Sequence, residues 1–304
     1  MAGTTGLEPA TSAVTATVLR FFDDLQTRGE RLRPPKSYKT WYFVDRLVDQ
    51  VSQPSYASSS VGAFSDRPIR PNQINAEDLF NTLMTEHLGY PTYLASGTDI
   101  GVGVATRLAL KYPGHLQGIH VASVVNPPLT PESPPLTDAE KAYKARSDQW
   151  EEEEGAYEHV HYTRPQTFAF ALADSPVGLA SWILEKFQFW SDHGADLLST
   201  FPPDMLIDNL MIYWATETIG SSIRLYYDHR HIRVPFKATD HVNVPTAICM
   251  WPKDLVIAPR EWAERFYNVH QYSSQTRGGH FPAWEAPDAY AHDVRLFARS
   301  LNRS

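Results

Sequence analysis

The chain has 304 residues, of which 42% are hydrophobic, 12% aromatic and 20% charged, a globular composition that excludes a disordered or fibrous protein. Its 27 basic and 35 acidic residues leave a formal net charge of −8, which argues against nucleic acid as the main partner because such binding needs a basic face. The length fits one large domain carrying an insertion, or two domains, with a core able to hold a buried site.

Residues 1–60 form an atypical N-terminal segment: Thr/Ala-rich at first, a short helical pattern over 18–25, a basic Pro-containing stretch over 31–39 and polar loop over 52–60. Gly62-Ala-Phe-Ser-Asp-Arg-Pro68 reads as a loop by its Gly, Ser, Asp and Pro. Residues 76–88 have helical spacing through Leu79, Leu83 and His87, with Asn75 as N-cap. Residues 92–95 predict a short strand, 101–112 a helix with Val104, Leu108 and Leu110 apolar, and 116–125 the next strand. Strand, sharp turn, helix and strand make a βαβ unit, which implies a parallel sheet.

Pro127, Pro128, Pro131, Pro134 and Pro135 lead out of that core. Helical patterns follow over 138–152, 177–190 and 204–227, an insertion with few strands. The acidic run from Glu151 to Glu154 reads as a solvated helix end or loop. The α/β texture resumes with a strand over 246–250, a helix over 259–266 and a last helix over 288–301. Cys249, the single cysteine, falls in that strand as a small core residue, with no disulfide partner and no Cys/His metal spacing. It favours a reducing compartment. No apolar run approaches the ~20 residues that span a bilayer, and the start lacks the basic-then-apolar pattern of a leader. A soluble, cytoplasmic protein is expected.

Chemistry concentrates in three places. In Ala95-Ser-Gly-Thr-Asp-Ile-Gly-Val-Gly103, Gly97 and Gly101 flank Asp99 at −2 and +2, the small residues that a sharp strand-to-helix nucleophile turn needs. The plain alternative is an ordinary Asp-Gly turn, which the preceding strand and following helix argue against. A helix N-terminus would also stabilise the Asp99 anion. Late in the chain, His280 sits in Arg277-Gly-Gly-His-Phe281, where a catalytic His follows its nucleophile and acid in an α/β-hydrolase. Between them, Trp251-Pro-Lys-Asp254 puts Asp254 just past a strand, where it could orient His280 or simply close a Lys-Asp turn. Tyr157 and Tyr226 are two of 15 tyrosines and look like packing residues until a family context singles them out.

Several strings resemble the microsomal-type epoxide hydrolases over about 62–301: Gly62 to Pro68, Gly97-Thr-Asp-Ile-Gly101, Thr163-Arg-Pro165, Ser221-Ser-Ile-Arg-Leu-Tyr226, Gly278-Gly-His-Phe281 and, most specific, Asp174-Ser-Pro-Val-Gly-Leu-Ala-Ser-Trp-Ile-Leu-Glu-Lys-Phe187. The resemblance implies an α/β-hydrolase parallel sheet, with core at 61–127 and 236–304 and a helical cap domain at 128–235. It implies Asp99 as nucleophile, His280 and Asp254 as the water-activating pair, Tyr157 and Tyr226 as donors to the ring oxygen, and the Ile100 N–H as half of an oxyanion hole. No metal or organic cofactor is implied. The substrates would be water and a small epoxide; the cap aromatics Trp182, Phe187, Trp190 and Trp214 suggest an apolar one, unless they are core packing, and a homodimer is left open. Upstream of Gly62 nothing matches, and the His-Gly-x-Pro loop that would give the other half of the oxyanion hole is not found, so N-terminal strands of the sheet are expected to be missing. Each lost donor is worth about 3–4 kcal/mol in comparable sites. The alternative is therefore a catalytically impaired remnant. A haloalkane dehalogenase fits less well, because Ile100 stands where halide binders carry Trp.

Overall fold

A computed structural model describes residues 76–231 and 235–301. The expectations for residues 1–60, the 62–68 loop and Asn75 fall outside the described residues.

Helix α1 (Ala76–Thr82) runs into a π-helical turn (Leu83–His87). Strand β1 (Tyr93–Gly97), helix α2 (Ile100–Lys111) and strand β2 (Leu116–Val121) give the βαβ unit. Seven helices follow: α3 (Asp138–Glu154), α4 (Ala156–Thr163), α5 (Pro165–Asp174), α6 (Pro176–Trp190), α7 (Leu197–Thr200), α8 (Pro203–Thr216) and α9 (Ile219–His231). The sheet resumes with β3 (Val242–Met250), α10 (Arg260–Glu264) and β4 (Tyr267–Ser274). Helices α11 (Pro282–Glu285) and α12 (Pro287–Leu301) end the described chain.

The four strands lie in the order β1-β2-β3-β4 and pair in parallel throughout. Parallel strands need both faces covered. On one face Ile119 and Val121 pack with Val102, Ala105 and Ala109 of α2. On the other, Gly118 lies under α12, where a Cβ would come within 2.8 Å of the Phe297 ring. Ile119, Val121, Val242, Ile248 and Phe297 are fully buried. The helical insertion has its own apolar cores, one around Leu184, Phe187, Phe201 and Leu206, another around Leu172, Leu179 and Ile223. Helix α3 is started by a capping box between Thr137 and Glu140. Glu140 also pairs with Arg265 at the end of α10, which fixes α3 to the core.

Several element boundaries differ from expectation. The strand expected over 116–125 stops at Val121. The single helix expected over 204–227 breaks at Glu217, whose φ of 56° is left-handed, and becomes α8 and α9. Helices α4, α5 and α7 were not separately foreseen; Arg164 lies between α4 and α5, and Pro165 opens the second of them. Strand β4 was not foreseen either, because Tyr267–Ser274 mixes apolar and polar residues and becomes a strand only by pairing along β3. Among the described residues no single helix is long and apolar enough to cross a membrane; α5 and α6 together pass that test but are bent by 113°. Their Leu172, Leu179, Leu184 and Phe187 are buried inside the protein.

Candidate active site

Asp99 occupies the turn between β1 and α2 with φ 49° and ψ −127°, a strained backbone for a residue with a Cβ. The Gly101 N–H donates to the Thr98 carbonyl at 2.8 Å and the Val102 N–H to the Asp99 carbonyl at 2.9 Å, which hold the turn. A Cβ at Gly97 would fall 2.2 Å from the Gly101 carbonyl oxygen, so glycine is required there. At Gly101 a Cβ would meet open space, so the steric reason expected at both positions applies only to the first. The Asp99 side chain is 58% exposed at the sheet's C-terminal edge. Ile100 opens α2, where the first N–H groups have no acceptor within the helix.

Asp254 follows β3. Its Oδ1 lies 2.8 Å from His280 Nδ1 and also accepts the Leu255 N–H at 2.8 Å. The two loops are joined by the Lys253 N–H donating to the Gly278 carbonyl. His280 is buried, and its Nε2 lies 3.7 Å from Asp99 Oδ2, an ion-pair distance longer than a hydrogen bond. Burial disfavours the imidazolium, but Asp254 and Asp99 outweigh it and push the His280 pKa up to about 10. Both glycines before His280 are dictated by contacts. Gly278 has φ 104°, and a Cβ there would meet the Trp251 ring at 2.6 Å. A Cβ on Gly279 would meet the Trp190 carbonyl at 2.7 Å.

The insertion brings Tyr157 from α4 and Tyr226 from α9 together, edge to face with centroids 6.1 Å apart. Burial first, and then the Asp99 charge, raises both phenol pKa values. The Trp190 ring lies 5.2 Å from both Tyr157 and His280. His161 packs on Tyr226 at 4.8 Å and accepts the Trp182 indole N–H; burial first, and then Lys186, lowers its pKa to about 4, so it stays neutral. Five side chains named from the sequence thus share one site: Asp99, Asp254, His280, Tyr157 and Tyr226. Chemically it offers an exposed carboxylate, two phenol hydroxyls and an imidazole hydrogen-bonded to a second carboxylate.

No family model matches the chain. It is 38% identical over 245 residues to a Stigmatella aurantiaca protein with a provisional epoxide hydrolase name, covering 78% of this chain and 54% of that one. It is 33% identical over 262 residues to epoxide hydrolase 1 of Sus scrofa, covering 76% of this chain and 56% of that one. The chain belongs with the epoxide hydrolases. The crystal structure of juvenile hormone epoxide hydrolase from the silkworm Bombyx mori superposes with a TM-score of 0.66 at 29% identity, over 79% of this chain and 62% of that one. The chain spans about half the length of the curated relatives it matches.

In this epoxide hydrolase homologue the fold is an α/β-hydrolase sheet with a helical cap inserted between β2 and β3. Of the four cap aromatics named from the sequence, Trp190 meets Tyr157 and His280, whereas Trp182 and Trp214 pack with Leu179 and Ile223. The acidic run is mostly exposed, but Glu154 accepts the Trp190 indole N–H at 3.4 Å. Asp192 and Glu285, which hold the His280 loop, were missed; they bind backbone N–H groups, and no residue spacing reveals such partners. Cys249 is fully buried, and its thiol is pushed up to about 11, chiefly by burial. It joins His120 and Asp293 in a cluster invisible to sequence spacing, with donor atoms within 4.8 Å of one another. Those atoms are held by hydrogen bonds: His120 to Asp293 at 3.0 Å, Gln271 to Asp293 at 2.8 Å and Gln275 to Cys249 at 3.3 Å. The network binds α12 to the sheet.

Proposed function

We propose that this chain opens a small apolar epoxide by attack of Asp99, passes through an ester on that carboxylate, and releases a vicinal diol. The observation that carries the reading is His280 held between two carboxylates, 2.8 Å from Asp254 and 3.7 Å from Asp99, with Tyr157 and Tyr226 close enough to feel the Asp99 charge. In the first step an Asp99 oxygen bonds to an epoxide carbon, and the carbon–oxygen bond of the ring breaks. The ring oxygen takes that electron pair and a proton from Tyr157 or Tyr226. Their raised pKa values keep both phenols protonated at neutral pH, ready to donate.

The second step follows from the first. Esterification removes the Asp99 anion, one of the two charges that hold the His280 pKa up. The imidazole then loses its proton more readily and can take one from water, with Asp254 orienting the ring. Hydroxide adds to the ester carbon, and the Ile100 N–H stabilises the oxyanion. The proton that the imidazolium releases restores the tyrosinate left by ring opening to tyrosine. On collapse the alkoxide leaves as the diol with the proton His280 took from water, and the carboxyl proton of regenerated Asp99 returns to His280; no step calls for a metal or organic cofactor. A carboxylate suits this route because its ester can be cleaved at the acyl carbon, whereas a serine ether could not. Among the described residues, we assign those within 61–127 and 236–304 to the core and those within 128–235 to the cap.

The test is a single turnover with styrene oxide in water enriched in heavy oxygen. Diol with the label in the Asp99 carboxylate supports the ester route. Absence of diol across a small epoxide panel, from protein folded by circular dichroism, favours the impaired remnant.

A further inference from the structure

We propose that Glu285 is a positioning residue for His280, clamping the backbone on both sides of that ring and fastening it to the end of cap helix α6. The proposal rests on the epoxide-opening reading above.

One carboxylate serves three N–H groups. Glu285 Oε2 accepts from Gly279 at 2.7 Å and from Asp192 at 2.5 Å, and Oε1 accepts from Phe281 at 2.7 Å. Gly279 and Phe281 are the residues immediately before and after His280. The cap completes the hold: Asp192 Oδ2 accepts the Gly278 N–H at 2.9 Å, and the Trp190 carbonyl accepts the His280 N–H at 2.8 Å. Every N–H from Gly278 to Phe281 therefore ends on Glu285 or on the Trp190–Asp192 turn. The glycine at 279 lets the two backbones touch, since a Cβ would lie 3.0 Å from both Ser191 Cα and Asp192 N. Charge-assisted bonds of this kind are short and strong. Among the described residues no other carboxylate accepts the Gly279 or Phe281 N–H.

What the clamp controls is narrow. The Asp254–His280 contact is 2.8 Å and the His280–Asp99 gap 3.7 Å, so a small shift of the loop spoils both. Asp99 and the cap tyrosines contact none of the clamped N–H groups, so ring opening should survive its loss. Misplacing a reacting group by about 1 Å can cost ~100-fold in rate.

The experiment separates the two half-reactions. Wild type, E285Q and E285A are mixed rapidly with styrene oxide, quenched and weighed as intact protein. Gln keeps one acceptor oxygen and offers an amide N–H where the second is needed. The expected result is ester accumulation in E285Q, with hydrolysis slowed about tenfold or more and ring opening nearly unchanged. In addition, the pH limb set by His280 should move. Equal rates in wild type and E285Q overturn the proposal, as does an equal loss in both half-reactions. E285Q keeps the test usable if E285A fails to fold. If wild type itself forms no ester, the proposed function fails, and the clamp is judged by NMR of the His280 ring. A shifted Nδ1 proton resonance in E285Q supports the clamp, and an unchanged one overturns it.

Discussion

Trp190 meets His280 twice: its carbonyl accepts the His280 N–H at 2.8 Å, and its ring packs edge-on against the imidazole at 5.2 Å. The carbonyl contact survives any substitution, while the ring contact does not. W190A also empties a buried volume between Tyr157 and His280. It should destabilise the protein by about 3–5 kcal/mol, measured by urea unfolding. W190F should cost less.

Asp99 and His280 should fail differently. D99N removes the nucleophile, so neither ester nor diol should form, a loss of at least ~1,000-fold for a group acting within a catalytic unit. H280Q should still form the ester and then stall. Intact-protein mass after mixing distinguishes them; a shared phenotype would contradict the division of labour.

Tyr157 and Tyr226 lie within contact of each other, so either can partly cover for the other. Y157F and Y226F should each slow ring opening by about 100-fold, and the double variant should lose more than either. Pre-steady-state rates of ester formation are the readout, and the ester hydrolysis rate should stay nearly constant.

The elevated His280 pKa makes a pH prediction with a definite sign. A base whose folded pKa exceeds its unfolded value stabilises the fold fully below the unfolded pKa and ceases to do so above the folded one. Here those limits are 6.5 and about 10. Stability should fall as pH rises from 7 to 10, and H280Q should flatten that slope in matched denaturant titrations. Tyr157 and Tyr226, their pKa values raised by burial, add to this fall only as pH nears 10, where the same phenols in the unfolded chain begin to ionise.

The glycines of the Asp99 turn should respond in opposite directions. G97A drives a methyl into the Gly101 carbonyl, which must shift the turn or unfold it, and a lower melting temperature with loss of ester formation is expected. G101A adds a methyl in open space inside α2 and should leave the melting temperature unchanged or raise it, since Ala outranks Gly in a helix by about 1 kcal/mol.

Much of the site could be read from residue order. Gly97 two residues before Asp99, and the two glycines before His280, meet backbone demands that only particular residues satisfy, and such demands are local. Tyr157 and Tyr226 were legible only through resemblance, because any tyrosine satisfies a helix. Glu285 and Asp192 were not legible, because a carboxylate that binds backbone N–H groups needs no partner residue type.

The sequence by itself determined the βαβ unit and the helical insertion and singled out Asp99 and His280 as candidates, since hydrophobic periodicity and turn chemistry act over a few residues. Tertiary structure alone decided that Tyr267–Ser274 is a strand, that residues 204–227 break at Glu217, and that Trp190 closes over His280. Each depends on what lies across the fold: β4 forms by pairing with β3, and the His280 loop is held by a helix end some 90 residues earlier, at Trp190. Hydrogen bonds between such distant backbones leave no periodic trace along the chain.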